Sequence, residues 1–145
     1  MIVPDVNLLI YAVDDTSHHH ERARDWWLGA LRGTEPIGLP WATTLAFVRL
    51  TTNGRIFASP LLADQALDLV EGWLAVPHVV VLEPTRAHLD RVRALLRELG
   101  TAANLVTDAH LAALAIEHNA TLASADADFS RFPALRWTNP LAKDT

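Results

Sequence analysis

The sequence predicts an α/β domain built on a mainly parallel sheet. Three observations carry that prediction. Short apolar runs of strand length recur along the chain, longer segments between them have helical periodicity, and no repeat, linker or low-complexity stretch divides the whole. Short strands that alternate with helices pack as parallel neighbours, with the helices laid against the sheet.

The first apolar run, Ile2 to Pro4, reads as a strand. Asp5-Val6-Asn7 leads from it into an apolar helix over residues 8–13. Ser17 offers a cap for a second helix running to residue 31, with Ala23, Trp26, Trp27, Ala30 and Leu31 as its buried stripe and Gly33 as its stop. Pro40 precedes a third helix over residues 43–52. Ser59-Pro60 marks the start of a fourth, in which Leu62, Ala66, Leu69, Val70, Trp73 and Leu74 recur at helical spacing. The β-branched run Val79-Val80-Val81-Leu82 reads as a buried strand. Thr85 then caps an amphipathic helix carrying Leu89, Val92, Leu95, Leu96 and Leu99, which Gly100 closes. The helix over residues 105–118 is apolar on most faces and therefore central. Residues 121–124 form another strand, and a last short one falls near Arg136-Trp137.

Composition narrows the function classes. The chain has 145 residues, half of them apolar, which is enough for one core without cross-links. It has no cysteine, and so no disulfide, thiolate zinc site or cysteine nucleophile. The first apolar run lacks a basic flank and is interrupted by Asp5, which predicts no signal peptide. The longest uncharged run, residues 36–48, is too short to span a bilayer. A cytoplasmic protein without a membrane segment is the expectation. The formal charge of −5 argues against a broad electrostatic footprint for nucleic acid. Eleven arginines stand against a single lysine, Lys143, and arginine grips phosphate bidentately. Arg22, Arg24, Arg49 and Arg55 are candidates for such a rim. A polyanionic ligand needs either that rim or bound cations.

In parallel sheets, ligands gather beyond the carboxyl ends of the strands. Asp5 and Asp126 stand at two such ends, and a helix beginning near Asn104 can present Asp108 beside them. Each aspartate has an ordinary structural reading. Asp5 can cap the following helix, Asp108 suits a helix dipole, and Asp126 and Asp128 suit a turn. Together they describe something more. Several carboxylates in one crevice repel one another unless a cation joins them. Oxygen ligands suit Mg2+ or Mn2+, ions that polarise a phosphate and activate water. Such a cleft cuts phosphodiesters or transfers phosphoryl groups.

The segments Ile2-Val3-Pro4-Asp5-Val6-Asn7, Asn104-Leu105-Val106-Thr107-Asp108-Ala109 and Ser124-Ala125-Asp126-Ala127-Asp128-Phe129 resemble, in order and spacing, the three acidic motifs of the PIN-domain nucleases. Phe47-Val48-Arg49-Leu50-Thr51-Thr52-Asn53 and Phe132-Pro133-Ala134-Leu135-Arg136-Trp137 look like the VapC toxin branch of that family. The resemblance implies a PIN-like three-layer α/β sandwich, with a PIN domain over residues 1–140 and a C-terminal tail over 141–145. It implies a magnesium-dependent endoribonuclease, with manganese as a substitute. Asp5 and Asp108 would be the principal metal ligands, Asp126 would complete the site, and Asp128 would support it or reach the ion through water. It implies RNA substrates such as tRNA or rRNA, products with a 5′-phosphate and a 3′-hydroxyl, a homodimer, and a VapB-type antitoxin as partner. One departure stands out. The family carries a glutamate on the third helix, and here Phe47 stands about where it would fall.

Other signals lead elsewhere or nowhere. His18, His19 and His20 point about 100° apart on a helix and cannot converge on one ion. His110 and His118 have no carboxylate at ligand spacing and read as bystanders. The serines lie in no nucleophile elbow, and the six glycines form no phosphate loop. A receiver domain or an aspartyl phosphatase would share the acidic α/β cleft, but each needs a lysine at the phosphoryl group, and Lys143 is poorly placed for that. A catalytically weak or inactive PIN-like binding protein is the remaining alternative.

Overall fold

A computed structural model describes residues 1–143. In chain order the elements are β1 (Ile2–Pro4), α1 (Val6–Val13), α2 (His20–Arg32), β2 (Ile37–Pro40), α3 (Trp41–Thr51), α4 (Ala63–Leu74), β3 (Val79–Leu82), α5 (His88–Leu99), α6 (Val106–Glu117), β4 (Thr121–Ala123) and β5 (Trp137–Thr138). The strands form one sheet in the order β3-β2-β1-β4-β5, and every neighbouring pair is parallel. From β1 the chain builds outward through β2 and β3. It then returns to the other side of β1 with β4 and β5. The strand order therefore reverses between β1 and β4, and their carboxyl ends flank the crevice that such a reversal opens.

Two apolar clusters cover the two faces of the sheet. One joins Leu8, Leu9, Ala23, Trp27, Phe47 and Trp73 with Ile37 and Leu39 of β2. The other joins Leu95, Ala109, Ala112, Phe129 and Phe132 with Val3 and Leu122. Trp73 holds the first cluster together. It meets Trp27 edge-on at 5.4 Å and Phe47 at 4.9 Å, offsets that favour aromatic pairs. Leu141, the first residue of the expected tail, is buried in that cluster, and Arg22 donates to its carbonyl at 3.0 Å. Asp144 and Thr145, the end of that tail, lie outside the described residues.

Most elements fall where the periodicity placed them, and the differences have local causes. The sequence did not announce β2. No strand is predicted between Gly33 and Pro40, yet all four residues of β2 are buried. Gly38 packs closely there: a Cβ would stand 3.1 Å from the Leu82 and Met1 side chains, which would have to shift to admit it. Ser17 does not cap α2. Its hydroxyl accepts the His19 amide one turn earlier, and the helix starts at His20. Thr85 likewise lies short of α5, and its hydroxyl accepts from Ala87 at 3.3 Å. Ser59-Pro60 also precedes its helix. The start of α4 is fixed instead by the Gln65 side chain, which accepts the Leu62 amide at 2.8 Å. Gly100 does close α5, in the left-handed conformation at φ 69°.

Candidate active site

Asp5 follows β1 directly, and its amide donates to the Ala123 carbonyl of β4 at 2.8 Å. One carboxylate oxygen accepts the Val6 amide at 2.7 Å, so Asp5 does cap α1. The other oxygen accepts the Ser124 hydroxyl at 2.7 Å. Capping occupies only half of the carboxylate and turns the rest toward the end of β4.

Ser124 is fully buried and is the hub of the crevice. Besides donating to Asp5, its hydroxyl accepts the Asp126 amide at 3.0 Å and the Asn7 side-chain amide at 3.3 Å. The Asn7 carbonyl oxygen faces the Ala125 amide at 3.4 Å. The start of α1 is thereby laced to residues 124–126 across the switch point. Asp126 then begins a short 3-10 turn over Ala127–Arg131, and its carboxylate accepts the Asp128 amide at 2.9 Å. The turn-forming role expected of Asp126 is real. It leaves the second carboxylate oxygen uncommitted.

Asp108 lies in the first turn of α6. Its carboxyl is pushed up to about 6, first by burial and then by the charges of Asp126, Asp5 and Asp128 in that order. Burial is also the largest cause raising Asp5, opposed by its hydrogen bonds to Ser124 and Val6 and reinforced by Asp126. The four aspartates singled out in the sequence therefore share one electrostatic neighbourhood. Among the described residues none of them is paired with an arginine, lysine or histidine. They do not form a finished cage, since among the described residues no three His, Cys, Asp or Glu side chains converge as a ligand set. Magnesium does not require one, because it keeps several waters and completes its shell with substrate oxygens. An all-oxygen donor set with unbalanced negative charge fits such a hard cation.

Phe47, at the position of the family's helix glutamate, is buried against Trp73 and faces the core rather than the carboxylates. From the same helix, Thr43 sends its hydroxyl to the Pro4 carbonyl at 3.1 Å, beside Asp5. The arginines considered for an RNA rim are partly occupied. Arg22 holds Leu141, and Arg24 holds Asp25 at 3.2 Å. The histidine reading is incomplete for His110. Its Nδ1 lies 2.8 Å from His88 Nε2, and His88 Nδ1 lies 2.5 Å from Glu117. That carboxylate comes from the far end of α6, seven residues away, a spacing that only a bridging residue from another helix makes relevant.

A sheet whose switch point gathers aspartates from β1, α6 and the end of β4 defines an acidic α/β nuclease-type fold. The PIN domain model matches residues 2–135, and the chain belongs to the PIN domain family. Within that family it belongs with the VapC ribonucleases. It is 47% identical over 142 residues to Ribonuclease VapC37 of Mycobacterium tuberculosis, covering 98% of this chain and 99% of the relative. It is 44% identical over 141 residues to Ribonuclease VapC33 of the same organism, covering 97% and 99%. The fold is shared with a solved structure of FitAB bound to a DNA fragment (TM-score 0.70, 21% identity, 100% and 99% of the two chains). It is shared equally with VapBC2 from Rickettsia felis bound to a promoter DNA fragment (TM-score 0.66, 18% identity, 96% and 98% of the two chains).

Proposed function

We propose that this chain is the toxin of a toxin–antitoxin pair, an endoribonuclease that hydrolyses RNA phosphodiester bonds with Mg2+, or Mn2+ in its place. The observation that carries this reading is the crowding of Asp108 by Asp126, Asp5 and Asp128 at the sheet's switch point. When bound there, the ion would neutralise charge on the phosphate and ease the loss of a proton from the attacking water; the new P–O bond would form as the bond to the 3′-oxygen breaks, and that oxygen would take up a proton. Asp5 and Asp108 would hold the ion, Asp126 would complete its protein ligands, and Asp128 would support the site or reach the ion through water. Ser124 keeps Asp5 and the Asp126 backbone in register, so the ligands need little rearrangement. Hydrolysis in this manner leaves a 5′-phosphate and a 3′-hydroxyl. The substrate class is structured RNA, tRNA or rRNA. The partners are a VapB-type antitoxin and a second copy of the chain, in the cytoplasm.

The test is cleavage of tRNA and rRNA by the purified protein in Mg2+, in Mn2+ and in EDTA, beside Asp5→Asn and Asp108→Asn. Cleavage that needs a divalent ion and fails in both variants is expected. Cleavage that persists in chelator, or survives both substitutions, removes the mechanism. One observation favours a second reading, a PIN-like protein that binds without cutting, namely Phe47 in place of an acidic ligand. Intact protein that binds Mg2+ and RNA yet cuts nothing would establish it.

A further inference from the structure

Helix α6 carries Asp108 in its first turn, yet apolar packing does little to fix that turn. Asn104, Val106 and Thr107 around it are exposed, as are residues 101–103 that lead in. Four of the six buried positions of α6 are alanine: Ala109, Ala112, Ala113 and Ala115. Alanine forms shallow ridges and apolar contact has no direction, so such a face resists rotation weakly. Directed bonds come instead from His88, the first residue of α5. Its Nε2 lies 2.8 Å from His110 Nδ1, and its Nδ1 lies 2.5 Å from Glu117. The two imidazole rings meet edge-on, at 83°. The Glu117 carboxylate can only accept, so a neutral His88 carries its proton on Nδ1 and accepts at Nε2 from His110 Nδ1–H. The side chains of His88 and Glu117 are 16% and 2% exposed, so water competes little for these bonds.

Positions 110 and 117 lie two turns apart on one stripe of α6, about 10 Å along its axis. The last turn is tied without His88, because the Thr85 amide and hydroxyl both donate to the other oxygen of Glu117. The first turn depends on the bond between His88 and His110. Asp108 stands about 200° round the helix from His110, on the opposite flank. A rotation that carries Asp108 out of the crevice therefore stretches that bond. We propose that His88 is a positioning residue for Asp108: held by Glu117 and bonded to His110, it fixes the rotation of the first turn of α6 and so the place where the Asp108 carboxylate meets the divalent ion. His88 touches neither the ion nor RNA in this role. The proposal rests on the metal-dependent cleavage proposed above, and adds a side chain outside the crevice that keeps one ligand in place.

Calorimetric titration of the full chain with MnCl2, beside kcat and KM for RNA cleavage and the melting temperature, tests it. An asparagine amide reaches the place of a histidine Nδ1, and a glutamine amide the place of Nε2. His88→Gln keeps a partner for His110 and should bind Mn2+ as the unaltered chain does. His88→Asn keeps only the Glu117 contact. It should bind Mn2+ about 10-fold more weakly, with kcat reduced and KM for RNA unchanged. His88→Gln should nevertheless melt at least as early as His88→Asn, because it leaves the buried Glu117 short of a donor. The other end should answer alike: His110→Asn retains a donor in the place of Nδ1 and full affinity, whereas His110→Leu matches His88→Asn. Unchanged Mn2+ affinity and kcat in His88→Asn and His110→Leu overturn the role and leave metal-dependent cleavage standing. Losses of affinity that simply follow the losses in melting temperature, with His88→Gln no better than His88→Asn, overturn it too and make the seam a stabilising contact only. An unaltered chain that neither binds Mn2+ nor cleaves RNA overturns the metal-dependent reading itself, and this role with it.

Discussion

At Asp108 one carboxyl group feels three others, and the consequences have definite signs. Its folded value is raised to about 6 from an ordinary value of 3.8, so without a divalent ion the folded chain binds this proton more tightly than the unfolded chain. Stability therefore increases as pH falls from above 6 toward 4, and the ionised group weighs against the fold at neutral pH. Asp108→Asn should raise Tm at pH 7 in EDTA by on the order of a few degrees, while cutting ribonuclease activity on the order of 100-fold or more. Divalent-ion affinity should climb with pH through about 6, where the carboxyl gives up its proton, and calorimetric titration across that range checks it. Ser124→Ala leaves Asp5, Asn7 and the Asp126 amide each short of a partner in a buried place. It should cost about 1–3 kcal/mol in urea unfolding. The carboxylates were legible in the sequence because Asp5 and Asp126 follow strand ends and Asp108 lies in the first turn of a helix. The Ser124 hub was not, since a hydroxyl linking residues 117 and 119 positions away has no local pattern.

Among the elements, the seam between α5 and α6 is the place where stability and acid response meet. The Glu117 side chain is only 2% exposed, and it accepts from the Thr85 amide at 2.9 Å and its hydroxyl at 2.5 Å while facing His88. Burial would raise its carboxyl, but those hydrogen bonds and the His88 charge together hold it below the ordinary carboxylate value. With a depressed folded value, its contribution is complete above the unfolded value of about 4.5 and is lost as pH falls through the lower folded one. Glu117→Ala should lower stability at pH 7 by about 2–3 kcal/mol, and the gap from the unaltered protein should close in acid. Elements with a long period were readable in advance, as the α5 stripe from Leu89 to Leu99 shows. Strand β2 was hidden, because Gly38 and Pro40 belong to loops in most contexts and only their neighbours across the sheet explain them. The helix starts were misjudged by two residues at Ser17 and Thr85 for a related reason. Both side chains found backbone partners in the preceding turn.

For the whole molecule, charge and topology set the terms. A chain of net charge −5 that gathers four aspartates at one sheet edge repels polyanions until cations arrive. RNA binding in EDTA should therefore be weak, and added Mg2+ should strengthen it. Its salt dependence should be shallow, with a log–log slope of only about −1 to −2, because few phosphates are met by side-chain cations. Filter binding at several salt concentrations measures both. No helix among the described residues is long and apolar enough to cross a membrane. The α/β class and the edge on which the aspartates gather followed from alternation alone. Strand order did not, because a parallel sheet can place β4 beside β1 or beside β3 without altering the pattern of any segment.

That order has a temporal meaning as well. Residue 5 leaves the ribosome first, yet its amide is held by Ala123 and its carboxylate by Ser124. A nascent chain thus carries Asp5 through most of its synthesis without Asp108 and without the strand that unites the two. The site stays unassembled until β4 and Ser124 have been made, and whatever restrains the finished enzyme has that interval in which to be present.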